Sequence, residues 1–214
     1  MNTNRILLFA GGSLEQWAIR QIQPEDWLVG VDRGALFLVR HGFSPRLSIG
    51  DFDSVSLEEQ AEIERHSQSI SSCDPVMKDL TDTEMALTWA LEQNPAQIVL
   101  IGALGSRFDH SLANVHLLQK ALGAGIPCKI VDEHNEIHLI DRMLMIEHDH
   151  FTHVSLLPLS PEVTGITLHG FQYPLSNATL RIGDTLGISN VLVADSGTIS
   201  IQSGKLLVIK STDS

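Results

Sequence analysis

Apolar runs at residues 5–10, 27–31 and 97–101, with a shorter stretch at 47–49, alternate with stretches in which apolar residues return every three or four positions, notably 36–40, 85–91 and 112–122. The first kind of pattern suits strands buried on both faces of a parallel sheet, and the second suits helices laid over it. Residues 5–140 therefore predict an α/β fold with a mainly parallel sheet and flanking helices, with further strands at 128–131 and 137–140. Ser13 with Gln16, Ser56 with Glu59 and Thr81 with Glu84 have capping-box spacing and mark helix starts. From residue 143 the pattern changes to short β-rich runs at 154–157, 163–168, 178–182, 191–193, 198–201 and 206–209, parted by Gly, Asp and Ser turns. These predict an all-β sandwich, so the chain divides into an α/β domain at 1–142 and a β domain at 143–214.

Residues able to do chemistry gather where the predicted strands end. Asp32 follows the run at 27–31, Asp51 and Asp53 follow 47–49, and Arg107 and Asp109 follow 97–101. Ligands of open α/β sheets bind at the carboxyl edge of the strands, so these separate turns converge on one crevice. Gly50 permits a bend through which Asp51 and Asp53 face a single hard cation. The Gly11-Gly12 turn after the first strand offers backbone N–H groups to an anion. Lys78-Asp79-Leu80-Thr81-Asp82 lies at a helix entrance, with Asp82 in the first turn. No Walker Gly-x-x-x-x-Gly-Lys-Ser/Thr pattern is present, so an ATP site here is not a P-loop.

Charge narrows the choice of partner. Asp and Glu number 26 against 14 Lys and Arg, a net charge of -12, which argues against a nucleic-acid footprint and is compatible with a polyphosphate accompanied by a divalent cation. The first apolar run is too short for a membrane helix or a secretory core, which points to the cytoplasm and away from membranes. Cys73 and Cys128 are isolated and read as reduced core residues. His148, His150 and His153 lack a supporting Cys and differ in strand parity, so they read as surface histidines and not as a zinc site.

Taken together, Gly50-Asp-Phe-Asp-Ser54, Lys78-Asp-Leu-Thr-Asp82 with Glu84, and Gly105-Ser-Arg-Phe-Asp-His110 with Asn114 resemble the thiamine pyrophosphokinase family. The β-rich tail, with Gly170-Phe-Gln-Tyr-Pro-Leu175 and Gly187-Ile-Ser-Asn190, extends the resemblance over nearly the whole chain. It implies a homodimer that binds magnesium and ATP through the α/β domain and thiamine with help from the β domain, making thiamine diphosphate and AMP. It also implies Asp51, Asp53 and Asp82 as metal-site acids. Thr81 and Arg107 match nucleotide contacts, with Gly12, Asp32 and Lys78 placed beside them. Asp109, Tyr173, Ser189 and Asn190 match the acceptor side, and Asp79 is placed with them. Two positions depart from the pattern: Arg33 stands where relatives commonly have the first glycine of Asp-Gly-Gly, and Val191 where many bacterial relatives have an acid. Two other readings remain open. Asp51-Phe-Asp-Ser-Val55 also resembles the signature of haloacid-dehalogenase-type phosphohydrolases, with Asp51 as nucleophile, and the chain could be a non-catalytic nucleotide-binding module.

Overall fold

The computed structural model describes residues 4–72 and 80–213. It separates into two compact units, Met1–Glu133 and His134–Ser214, whereas the sequence pattern changes at residue 143. The strand at Asn135–Ile140 belongs to the second unit, where it pairs antiparallel with Leu206–Ser211.

Among its described residues the first unit holds six parallel strands: β1 (Arg5–Phe9), β2 (Trp27–Val31), β3 (Leu47–Gly50), β4 (Ile70–Ser72), β5 (Gln97–Ile101) and β6 (Cys128–Val131). Their order is β4-β3-β2-β1-β5-β6. From β1 the chain builds outward to β4, then returns to place β5 on the other side of β1. This reversal makes the carboxyl edge at β1 and β5 a topological switch point, the place where open α/β sheets bind their ligands. Ile6 to Phe9 and Ile98 to Ile101 are buried, as uninterrupted apolar runs require in a sheet covered on both faces.

Among the described residues, five helices connect the strands: α1 (Gln16–Ile19), α2 (Arg33–Arg40), α3 (Leu57–His66), α4 (Asp82–Glu92) and α5 (Phe108–Gly123). Ser56 and Glu59 complete the expected capping box at α3. At α4 the box is half made: the Thr81 side chain accepts from the Glu84 N–H, but the Glu84 carboxylate turns to Lys120 on α5. The box expected at Ser13 does not form. Instead Leu14 packs against the core, the Gly12 N–H bonds Gly102, and α1 begins behind an extended Glu15 as a single turn.

The second unit is all β. One antiparallel sheet has the order β7-β13-β9, from β7 (Asn135–Ile140), β13 (Leu206–Ser211) and β9 (His153–Pro158). The other runs β11-β10-β12-β8, from β11 (Ala178–Arg181), β10 (Glu162–His169), β12 (Ser196–Ser200) and β8 (Met143–Glu147). Ile146, Leu156, Val163, Ile166, Phe171, Ile199 and Val208 form its core. Residues 191–193 make no strand; Leu192 forms an isolated bridge with Phe171 and packs against the core, while Val193 is exposed. Lys210 on the central strand β13 is buried between Glu136 and Asp149, with its ammonium over the Phe151 ring. No helix among the described residues is long and apolar enough to cross a membrane.

Packing of α2 onto β1 depends on Gly34, because a Cβ there would lie 1.9 Å from the Phe9 carbonyl oxygen. Gly34→Ala should cost about 3 kcal/mol of stability, since the obstacle is backbone and cannot rotate away. Gly123→Ala, at the end of α5 where a Cβ would have nothing within 4 Å, should gain about 0.5 kcal/mol. Urea unfolding midpoints of the two variants should therefore move in opposite directions.

Candidate active site

The crevice at the carboxyl edge of the parallel sheet is a cleft of about 550 Å³. Its lining includes Gly11 and Gly12 after β1, Asp32 and Arg33 after β2, Asp51 and Asp53 after β3, Thr81 and Asp82 at the start of α4, and the segment 102–107 after β5. Its volume lies within the usual range of small-molecule sites, about 300–1,000 Å³.

Carboxylate oxygens of Asp32, Asp51 and Asp82 all lie within 4.8 Å of one another. Register explains how residues so far apart in sequence meet. Val31 pairs with Ile49, so Asp32 leaves β2 beside Gly50, and its N–H bonds the Ile49 carbonyl. Asp32 adopts φ 47°, unusual for a residue with a side chain, and its Oδ1 accepts from the Phe52 N–H at 3.2 Å. Gly50 makes room for it: a Cβ at that position would fall 1.9 Å from Asp32 Oδ1. Phe52 is then held at φ 56° with its ring buried against Ala35, Leu36 and Ile63. The apolar ring anchors the loop from below and leaves Asp51 and Asp53 exposed on either side of it.

Like charges so close oppose one another's ionisation. Burial, Asp82 and Asp51 together push the Asp32 carboxyl up to about 7, although the Phe52 N–H acts the other way. Asp82 acts on Asp32 both through its charge and through the close approach of its carboxyl group. Three hard oxygen donors in a half-buried, electrostatically opposed group suit a small divalent cation.

Asp53, expected among the metal acids, lines the same cleft but stands outside this three-carboxylate set; its N–H instead closes a turn on Asp51 Oδ1 at 3.0 Å. Asp32, expected with the nucleotide contacts, is inside the set. Thr81 is a cap at the cleft wall. Gly12 lines the cleft, but its N–H is engaged by the Gly102 carbonyl at 2.8 Å and is not offered to a ligand. Its lack of a side chain matters in another way, because a Cβ would lie 2.3 Å from the Leu104 carbonyl oxygen and push apart the loops after β1 and β5. Lys78 and Asp79 lie outside the described residues.

Arg107 lines the cleft, while Asp109 does not, and the two form an exposed two-pronged ion pair at 2.6 and 3.2 Å. The guanidinium holds the Asp109 carboxyl down to about 2. His110, Ser111 and Asn114 also line the cleft and were not assigned from sequence. Asn114 is buried and donates to the Ala103 carbonyl at 2.7 Å, and Ser111 Oγ bonds both Gly105 and Arg107, so the two shape the loop that presents Arg107. Steps of four and three from Arg107 on one helical face were the available signal.

In the second unit, Phe171 is buried and Tyr173 is 60% exposed. Asn190 is buried and accepts from the Tyr173 N–H at 3.0 Å while donating to the Tyr173 carbonyl at 2.7 Å. Its side chain therefore fixes the backbone behind Tyr173. Ser189 is exposed, with φ 58° and its N–H on Ser155 Oγ.

Comparison with known proteins matches residues 19–130 to the thiamin pyrophosphokinase catalytic domain and 142–206 to its vitamin B1 binding domain. The chain is 38% identical over 187 residues to a thiamine pyrophosphokinase of Bacillus subtilis, covering 86% of this chain and 87% of that one. It superposes on the crystal structure of thiamine pyrophosphokinase from Bacillus subtilis with a TM-score of 0.91 at 34% identity, covering 99% of this chain and 100% of that one. For the corresponding structure from Geobacillus thermodenitrificans the TM-score is 0.89 at 38% identity, with 98% of each chain covered.

The raised Asp32 pKa has a testable sign. Between pH 3.8 and about 7 the folded chain binds more protons than the unfolded one, so the cation-free protein loses stability as pH rises through that window. Asp32→Asn removes the penalty. In EDTA at pH 8 the variant should be more stable than wild type by on the order of 1–2 kcal/mol, allowing for solvent screening. The difference should shrink toward pH 4 and narrow again with excess magnesium at pH 8, as thermal unfolding will read.

Proposed function

Since the chain belongs to the thiamine pyrophosphokinase family, we propose that it transfers the pyrophosphoryl group of ATP to the hydroxyl of thiamine, yielding thiamine diphosphate and AMP, in the cleft of its first unit. The observation that carries this reading is the meeting of Asp32, Asp51 and Asp82 at the carboxyl edge of a parallel sheet. In the reaction the thiamine hydroxyl oxygen forms a bond to the β-phosphorus of ATP. The bond from that phosphorus to the α–β bridging oxygen breaks, AMP leaves, and the hydroxyl proton is released.

Asp32, Asp51 and Asp82 would hold Mg2+, with Asp53 extending the acidic wall. When bound, the cation supplies positive charge against the phosphate oxygens. The remaining work is alignment of donor and acceptor. Arg107 presents a planar fork suited to a phosphate, and its exposed pair with Asp109 is open to exchange for one. Thr81 sets the start of α4 and with it the position of Asp82. On the acceptor side, Tyr173 offers an exposed aromatic face to the cationic thiazolium, while Asn190 fixes its backbone and Ser189 stands beside it. We place Asp109 with the acceptor contacts, the assembly as a homodimer, and the enzyme in the cytoplasm with its nucleotide donor.

A magnesium-dependent phosphohydrolase would also use acids around Asp51, but its signature belongs after the first strand, whereas here it follows β3. A non-catalytic module would bind ATP without making AMP. Phosphorus NMR of the protein with ATP, magnesium and thiamine should show AMP in amounts equal to thiamine diphosphate, dependent on both magnesium and thiamine. ADP as the main product would overturn the reaction assigned here.

Asp51→Asn should lower magnesium-dependent turnover by about a hundredfold or more, and Asp53→Asn by about tenfold, in keeping with their different places in the cluster. Equal losses would place Asp53 among the inner ligands. Tyr173→Ala should raise the KM for thiamine several-fold with little change in that for ATP. A fall in thermal stability with an unchanged thiamine KM would return Tyr173 to a structural role.

A further inference from the structure

Among the described residues, two cations line the cleft, Arg33 and Arg107. Arg107 is paired with Asp109. Arg33 is exposed, and among the described residues its side chain makes no ion pair or hydrogen bond. An exposed, unpartnered guanidinium facing a cleft with four acids calls for an account.

Stability does not supply one. Arg33 is the first residue of α2, where the positive end of the helix dipole opposes a cation. Its neighbours are constrained, Asp32 by its unusual φ and Gly34 by the Phe9 carbonyl. Arg33 itself has no comparable restriction. Its Cβ stands 3.8 Å from where a Cβ on Gly11 would be, so the side chain rises beside the turn that follows β1.

Two of the backbone groups of that turn are already engaged within the fold. The Gly12 N–H bonds Gly102 and the Ala10 N–H bonds Ile101, both at 2.8 Å. Helix α1 begins only at Gln16 and spans four residues, too short to present a helix terminus. The formal positive charge beside this turn is that of the Arg33 side chain. Building on the pyrophosphokinase reading, we infer that Arg33 contacts the triphosphate of the nucleotide and serves as a specificity-determining residue for it. A charged donor also suits this cleft, because a triphosphate carries more negative charge than one divalent cation offsets.

The test uses the full chain and the magnesium complex of a non-hydrolysable ATP analogue, titrated by calorimetry into wild type, Arg33→Gln and Arg33→Lys. Arg33→Gln should weaken binding by about tenfold or more, the usual scale for a lost charge-assisted hydrogen bond, and Arg33→Lys should recover part of it. In turnover, Arg33→Gln should raise the KM for ATP while that for thiamine stays within about twofold. Its thermal midpoint should be unchanged or higher, because a cation has left the positive end of α2. Analogue affinity within about twofold of wild type, equal rises in both KM values, or a large loss of thermal stability would each overturn the inference. Failure of the pyrophosphokinase reading is recognised separately: wild type would make no AMP, and the titrations would still judge the Arg33 contact.

Discussion

Mutual repulsion among Asp32, Asp51 and Asp82 is the constraint around which the first unit is arranged. Left to themselves, three carboxylates within 4.8 Å would separate or protonate, and the half-buried Asp32 does the latter toward neutral pH. They stay together because each is fixed by something that does not depend on charge. The β2–β3 register fixes Asp32, the buried Phe52 ring fixes the loop carrying Asp51, and the Thr81 cap fixes the helix start carrying Asp82. The unusual φ angles at Asp32 and Phe52 lie on either side of the same point. Conformational strain and electrostatic opposition are thus concentrated where a cation would relieve them.

The sequence conveyed the strand-helix alternation, the two kinds of fold and the carboxyl-edge location, because uninterrupted apolar runs and capping residues are local signals. It also carried the family motifs, which lie in loops where local chemistry is visible. What it hid was set by tertiary contact. Asp32 joins the acids through strand register, and Asp53 falls outside because Phe52, between it and Asp51, takes a left-handed turn. Gly12 has the composition of an anion-binding turn, yet its N–H is engaged by a neighbouring loop. The run at 191–193 has strand composition but forms an isolated bridge to Phe171 through Leu192 after Asn190 has fixed the chain direction.

Asn190 illustrates how a residue can matter to a ligand without facing it. Both ends of its amide are occupied by backbone groups of Tyr173 and Val191, and it is buried. Its contribution is to present a neighbour; Asn114, which itself lines the cleft, also holds the loop bearing Arg107 through the Ala103 carbonyl. Buried amides with every partner satisfied are stiff supports, whereas loops held only by side-chain packing have more freedom to move.

Strand β13 has a consequence for how the chain is made. It lies between β7 and β9, yet it is the last of the three to be synthesised. The first unit draws all its strands from residues 5–131, so it can close while later residues are still emerging from the ribosome. The second cannot. Until residue 211 has emerged, β7 and β9 are two open edges separated by a missing strand, and Glu136 and Asp149 lack Lys210 between them. A polypeptide stalled shortly before that point would present a finished first unit joined to an adhesive half-sheet, the form most exposed to aggregation and to chaperones during synthesis.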